Sequence, residues 1–159
     1  MEGKLNQQDF LNVIKNTPLF SIDLVIVNEK REVLYGLRKN KPARGWWFVP
    51  GGRIYKNETL DNAFRRISAE ELDFPLEIEA GTLLGLFEHL YENSIADAQT
   101  STHYINAPYL VFCQKHDITP PLLQHSSYRW VAIENIQMDP DIHCYSKTFV
   151  EELKGLLYD

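Results

Sequence analysis

A glycine turn followed by a charged helix carries the residues of this chain that are best suited to chemistry. Five of them with a fixed spacing are Gly52, Glu58, Arg66, Glu70 and Glu71. At about 100° per residue, helix positions 67, 70 and 71 lie on one side, where three carboxylates would provide hard oxygen ligands for Mg²⁺ or Mn²⁺. Ile67 occupies the first of these positions. We therefore expect one metal ion per site, held by Glu71, the Gly51 carbonyl and the substrate.

The charged residues of this helix also have a simpler interpretation. Arg66 and Glu70 are four residues apart, which is the spacing of a solvent-exposed salt bridge that contributes only about 0.3 to 0.5 kcal/mol. Glu70 therefore stays open between a salt bridge and a metal ligand. The glycine turn and the spacing favour metal binding by Glu71, whereas we expect Glu58 to support the loop and the start of the helix.

The hydrophobic pattern predicts the elements that position this unit. Apolar residues at helical spacing predict a helix over 59–72, with Thr59 as its N-cap. Its predicted core-facing residues are Leu60, Ala63, Phe64 and Ile67. Further helices are predicted at 6–17 and 146–158, and strands at 19–28, 32–38, 45–52, 76–91, 103–114 and 128–133. Because a hairpin and paired long strands interleave with helices, we expect an α/β (α+β) fold with a mixed sheet between helices.

Composition restricts the function. With 16 Lys and Arg against 22 Asp and Glu, the net charge of −6 provides no basic surface for nucleic acid. The longest apolar runs are shorter than the ~20 residues of a membrane span, and Cys113 and Cys144 show no zinc-site spacing. We expect one cytoplasmic domain over residues 1–159 that binds neither nucleic acid nor a membrane.

The turn and helix resemble the Nudix box, GX5EX7REUXEEXGU, in which U is an aliphatic residue. Three positions depart from the pattern, because Ile67 replaces a glutamate, Ser68 an aliphatic residue and Asp73 a glycine. The chain is also similar, over most of residues 9–130, to the branch of this family that hydrolyses GDP-mannose, through "NTPLFSIDLVI", "GLRKNKPARGWWFVPGGR" and "QHSSYRW". This resemblance implies a Nudix fold and attack of water on the anomeric carbon of the sugar, with inversion.

The resemblance to this branch implies a role for each candidate site residue. His125, in the loop before "YRW", is the expected general base, because an imidazole readily takes a proton from water near neutral pH. Gln124 is the expected further metal ligand, and Arg38 is expected to neutralise the departing diphosphate. The other implied contacts are Arg53 and Arg66 with the diphosphate or sugar, Tyr104 with a phosphate oxygen, and Asp23 and His89 with the mannosyl group. Asp23 also stands out without the resemblance, since a carboxylate inside an apolar strand is costly unless it is paired or faces a cleft.

Three functions remain open from the sequence. The first is Mg²⁺-dependent hydrolysis of GDP-mannose or GDP-glucose to GDP and free sugar, with Mn²⁺ as a substitute metal. The second is a pyrophosphohydrolase that cleaves the P–O–P bond of another nucleotide sugar. The third is a binding module that has lost catalysis through Ile67 and still recognises nucleotide sugars. The resemblance further implies a homodimer.

Overall fold

The computed structural model of the protein describes residues 4–158. Its helices are α1 (Gln7–Asn16), α2 (Leu60–Leu72) and α3 (Val150–Tyr158). Its strands are β1 (Leu19–Val27), β2 (Glu32–Arg38), β3 (Trp47–Phe48), β4 (Gly51–Arg53), β5 (Gly81–Leu83), β6 (Phe87–Tyr91), β7 (Thr102–Phe112) and β8 (His125–Ala132). Among the described residues, no helix has the length and apolar character needed to cross a bilayer.

All eight strands form one mixed sheet around β1. β1 runs parallel to β7, with a register from Leu19↔Tyr104 to Val27↔Phe112, and antiparallel to β2 and β4. β8 pairs antiparallel with β2, whereas β5 and β6 both pair antiparallel with β7. The ends of β1, β4, β7 and β8 therefore meet, which brings together side chains that are far apart in the sequence.

Alternate residues of β1 face two separate hydrophobic cores. Ile22 and Leu24 are fully buried against Phe64 of α2, while Val25 belongs to a second core with Leu153 of α3. This alternation is expected of a strand that is covered on both faces. The predicted mixed sheet between helices is confirmed.

Helix α2 forms where the sequence predicts it. The Thr59 side chain accepts a hydrogen bond from the Asn62 N–H at 3.2 Å and so caps the helix. Asp73 ends the helix in the left-handed conformation, with a φ of 52°, at the position where the box motif has glycine. Aspartate adopts this conformation more readily than most residues other than glycine, so the turn forms without a glycine at position 73. Leu60, which was predicted to face the core, is 47% exposed, because the first turn of α2 extends beyond the sheet.

Two other predictions differ from the structure. The predicted long strand over 76–91 is divided into β5 and β6, and the segment between them includes Gly85 with a φ of 149°, which favours glycine. His125 does not lie in a loop but begins β8, where its register partner is Arg38 of β2. The strand pairing thus places an arginine and a histidine side by side.

Candidate active site

A cavity of about 390 Å³ opens where β1, β4, β7 and α2 meet. The predicted site residues that line it are Asp23, Arg38, Gly51, Arg53, Arg66, Glu70, Glu71, His89, Tyr104 and Gln124. His125 does not line the cavity directly, but its Nδ1 lies 3.7 Å from Oε2 of Glu71. The structure therefore gathers residues from seven segments of the chain at one place.

Gly51 allows Asp23 to sit at the cavity. The two residues pair across β4 and β1, and a Cβ on residue 51 would lie 2.3 Å from Oδ1 of Asp23, which leaves no room for a side chain. Burial raises the pKa of Asp23 to about 7, against the opposing effects of a hydrogen bond from Asn106 and the charge of Arg38. Oδ2 of Asp23 has no hydrogen-bond partner among the described residues. This oxygen can therefore accept a hydrogen bond from a ligand.

Glu71 is the buried carboxylate of α2. It is 3% exposed, and burial raises its pKa to about 7, although Arg38 and the Gly51 backbone N–H act in the opposite direction. Its Oε2 also has no hydrogen-bond partner within residues 4–158. A buried carboxylate oxygen without a partner destabilises the fold unless a bound cation or a hydrogen-bond donor compensates for its burial.

His125 is held by contacts with Gly36 and Tyr128. Its ring packs against Gly36 so closely that a Cβ there would lie 2.6 Å from the ring. The Tyr128 hydroxyl donates to the Pro121 carbonyl at 3.0 Å and lies 3.3 Å from Nδ1 of His125. Because the hydroxyl proton goes to Pro121, we assign the Nδ1–H tautomer, in which Nδ1 donates to the Tyr128 oxygen. Nε2 is then the unprotonated nitrogen, and it has no partner in the described part of the chain.

The environment of His125 keeps its imidazole neutral. Burial, Arg38 and Lys39 lower the pKa of the imidazole to about 4, so it is neutral near pH 7. Arg38 itself is fixed by donation from Nε to the Pro42 carbonyl at 2.9 Å. The cation is thus kept between the histidine and the two buried carboxylates.

Arg66 supports the glycine turn. Its Nε and Nη2 donate to the two oxygens of Glu58 at 2.7 and 2.9 Å, and Nη2 also donates to the Arg53 carbonyl at 2.8 Å. Nη1 donates to Glu70 at 3.1 Å, so Glu70 forms the salt bridge that its spacing predicts. These contacts agree with the supporting role expected for Glu58. They leave few donors of Arg66 for a substrate, and its predicted contact with substrate stays a prediction.

Arg53, Tyr104 and His89 line other parts of the cavity wall. The Arg53 guanidinium stacks 4.4 Å above the Phe10 ring, and burial raises the pKa of Tyr104, which therefore keeps its proton. His89 stacks on Tyr145 with ring centroids 4.5 Å apart, and burial lowers the pKa of this imidazole to about 4. All three offer donors or acceptors to a ligand from fixed positions.

Sequence reasoning missed Asn106 and Tyr128. Asn106 is 2% exposed on β7, where its side chain donates to Ser21 and contacts Asp23. Asn106 is a polar residue inside the apolar segment "INAPYLVF", just as Asp23 is inside the apolar β1. The same criterion could therefore have identified it from the sequence. The role of Tyr128 depends on Pro121 and His125 being close in space, which spacing alone does not reveal.

The comparison with family models decides the family. Residues 17–153 match the NUDIX domain. The chain belongs to the Nudix family. Nudix enzymes generally act on nucleoside diphosphate substrates and use a divalent metal ion such as Mg²⁺.

Solved structures show the same fold at low sequence identity. The MutT protein of Methanosarcina mazei Go1 superposes with a TM-score of 0.71 at 21% identity, over 91% of this chain and 99% of that one. The NUDIX domain of Shewanella oneidensis NrtR, in complex with ADP ribose, gives a TM-score of 0.67 at 18% identity, over 96% and 99% of the two chains. These similarities confirm the Nudix fold.

One curated relative is more similar in sequence. The low-salt glycan biosynthesis protein Agl8 of Haloferax volcanii is 50% identical over 93 residues, which is 58% of this chain. The aligned part also spans 58% of the length of that relative.

The residues of this Nudix site fit one metal ion bound through few protein ligands. Within residues 4–158, no group of three or more His, Cys, Asp or Glu side chains is arranged to hold a metal ion. The unpaired Oε2 of Glu71 is a suitable oxygen donor at the position where Nudix enzymes are expected to bind metal. Glu70 faces solvent and is paired with Arg66, so it is less suited to this role.

Ile67 takes the place of the missing Nudix glutamate and belongs to the core. It is 1% exposed, and its side chain fills the space next to Gly52, where a Cβ would lie 3.1 Å from it. The side chain therefore packs beneath the glycine turn and does not reach the cavity. The missing carboxylate is replaced by packing and not by another ligand at the same place.

Restoring the glutamate is expected to destabilise the protein. In Ile67→Glu, a carboxylate would enter the core without a partner, and we expect the free energy of unfolding to fall by about 3 to 5 kcal/mol. Ile67→Leu is the matched control, for which a loss under about 1.5 kcal/mol is expected. Urea unfolding of the wild type, Ile67→Glu and Ile67→Leu measures these free energies of unfolding. Equal stability of Ile67→Glu and the wild type would show that residue 67 has access to the cavity.

Proposed function

We propose that the protein hydrolyses GDP-mannose, and also GDP-glucose, to GDP and free sugar. Water attacks the anomeric carbon and inverts it. The observation that carries this proposal is His125, a buried and neutral imidazole whose Nδ1 lies 3.7 Å from Oε2 of Glu71 and whose Nε2 is unpaired among the described residues. A base outside the box helix is needed because Ile67 removes one of the box carboxylates. The similarity to a protein of glycan biosynthesis supports a sugar nucleotide as the substrate class.

In this reaction His125 takes a proton from the attacking water. Nε2 is the free nitrogen of the assigned tautomer, and Nδ1–H stays bound to the Tyr128 oxygen while the proton moves. Gly36 and Tyr128 fix the ring. Fixed orientation of a general base is one source of its contribution to the rate.

Glu71, the Gly51 carbonyl and Gln124 would hold the metal ion. When bound, Mg²⁺ or Mn²⁺ neutralises charge on the diphosphate and makes it a better leaving group. Gln124 lies at the cavity, and its backbone carbonyl accepts a hydrogen bond from the Lys39 N–H at 3.1 Å, which fixes this residue next to Arg38. One metal ion per site is the expected number, because one buried carboxylate lies on this side of α2.

The leaving group is stabilised by cations that the fold holds in place. Arg38 is the register partner of His125, and both Arg38 and Arg53 line the cavity. Tyr104 keeps its proton and can donate to a phosphate oxygen. Glycosidases that invert usually need a second carboxyl group to protonate the leaving oxygen. A diphosphate that leaves as a neutralised anion needs no such acid.

Asp23 and His89 would hold the sugar. Asp23 provides an unpaired acceptor oxygen, and Nε2 of His89 also lacks a partner among the described residues. Both side chains are buried and fixed, so they select hydroxyl groups by position. The homodimer, the cytoplasmic location and the absence of nucleic-acid and membrane partners stay predictions.

A product assay over a panel of nucleotide sugars tests this function. With Mg²⁺ present, the purified protein is expected to release GDP and mannose from GDP-mannose, and GDP and glucose from GDP-glucose. Chromatography separates these products from GMP and a sugar 1-phosphate. The latter pair would show cleavage of the P–O–P bond. Tight binding of GDP-mannose with no product in Mg²⁺ or Mn²⁺ would identify a binding module and contradict the proposed reaction.

A further inference from the structure

Asn106 and Ser21 form a buried polar pair next to Asp23. They are register partners in the parallel β1–β7 ladder, and their exposures are 2% and 8%. Nδ2 of Asn106 donates to Oγ of Ser21 at 2.9 Å, and the Asn106 side chain also lies close enough to the Asp23 carboxyl group to lower its pKa. Because Ser21 and Asp23 are two residues apart on one strand, their side chains lie on the same face, beneath the cavity.

These contacts fix the orientation of the Asn106 amide. A carboxylate only accepts hydrogen bonds, so the NH₂ group of Asn106 must face Asp23, and the amide oxygen must face elsewhere. That oxygen accepts no side-chain or backbone hydrogen bond among the described residues, and Asn106 lines the cavity. An amide oxygen that faces a cavity and has no protein donor beside it can accept a hydrogen bond from a ligand.

Asp23 presents a second acceptor next to this one. Its Oδ2 is buried and unpaired within residues 4–158. Two neighbouring acceptor oxygens match two neighbouring hydroxyl groups of a sugar ring, which are donors. They would repel a phosphate group, whose oxygens are acceptors.

We propose that Asn106 determines sugar specificity, by accepting a hydrogen bond from one ring hydroxyl while it orients Asp23 toward the adjacent one. This inference rests on the proposed function, since it takes a nucleotide sugar as the ligand. Asn106 is thereby added to the residues proposed to bind the substrate, and it would contact the sugar part alone. Ser21 is a positioning residue that acts through Asn106.

Calorimetric binding in a His125→Gln background, with Mg²⁺ present, tests this role without any turnover. The two ligands are GDP-mannose and GDP, which lacks the sugar. Asn106→Leu is expected to weaken GDP-mannose binding by about 5- to 50-fold, since it removes one acceptor and releases Asp23. GDP binding should change by less than about twofold. Ser21→Ala should weaken GDP-mannose binding less than Asn106→Leu, and Thr82→Val, at an exposed position on β5, is the matched control with no change.

Several outcomes would overturn the role of Asn106. Equal weakening of GDP and GDP-mannose would show a merely structural role, and unchanged affinity for both would show none. If Asn106→Leu fails to fold by circular dichroism, Asn106→Ala, which removes the amide without adding volume, should give the same selective loss. GDP-mannose that binds no more tightly than GDP in the His125→Gln protein would also contradict the inference. Selective binding in a protein that releases no sugar would instead refute only the proposed reaction.

Discussion

His125→Gln is expected to lower kcat for GDP-mannose by about 10² to 10⁴-fold, the usual range for loss of a general base. Glutamine keeps a similar size and a hydrogen-bonding group but cannot take a proton from water. KM should change little, since His125 does not line the cavity directly. Steady-state kinetics with saturating Mg²⁺ measures both constants.

The matched control for this variant is His116→Gln. His116 has a side chain that is 78% exposed, on the same connection between β7 and β8. Its replacement should leave kcat unchanged. If His125→Gln retains wild-type turnover, the base is elsewhere and the assigned tautomer has no catalytic meaning. If both variants lose activity equally, the loss reflects damage to the connection and not to a base.

Glu71→Gln is expected to have the second large effect, through the metal ion. Loss of a protein partner next to a metal ligand typically costs 10- to 100-fold in metal affinity or activity, and loss of the only buried carboxylate ligand should cost about 10²-fold or more. Titration of Mg²⁺ by calorimetry and by activation of turnover should show the same shift. Glu79→Gln, at an exposed position away from the cavity, is the control that should behave as the wild type.

The pH dependence of Mg²⁺ binding follows from the same residue. Burial raises the pKa of Glu71 to about 7 in the metal-free protein, and only the ionised carboxylate binds a cation. Below pH 7 a proton competes with the metal, so affinity should fall by up to about tenfold per pH unit; above pH 7 it should level off. In Glu71→Gln this pH dependence should be lost. A larger loss of Mg²⁺ affinity in Glu70→Gln than in Glu71→Gln would assign the ligand to Glu70 instead.

The parts of the site that the sequence predicted are those that local rules determine. The box spacing, the N-cap at Thr59 and the pairing of Arg66 with Glu70 all lie within one turn and one helix, where residue order fixes geometry. Asp23 was singled out because a carboxylate in an apolar strand is costly, and the structure places it in a buried position at the cavity.

The parts that the sequence did not predict depend on contacts between distant segments. His125 was placed in a loop, but pairing with β2 extends β8 to this residue, and that pairing cannot be read from "QHSSYRW" alone. The Asn106 pair with Ser21 depends on the parallel register of β1 and β7, which joins residues 85 positions apart. Leu60 satisfied the helical pattern, yet the pattern does not show where the sheet beneath the helix ends.

The position of the Ile67 side chain affects both the packing of the core and the number of carboxylates at the site. Helical geometry correctly placed Ile67 near Glu71, but the structure turns its side chain into the core beneath Gly52. The site therefore has one buried carboxylate from α2 instead of two, and an imidazole from a different strand stands beside it. This combination suits the proposed attack by water with His125 of β8 as the base.

The position of ¹⁸O after hydrolysis in labelled water tests the central claim most directly. If His125 directs water to the anomeric carbon, mass spectrometry will find the label in the released sugar and none in GDP. If water attacks phosphorus, the label will appear in a phosphate group. Label in phosphate would contradict the account, whatever the effects of the His125 and Glu71 variants.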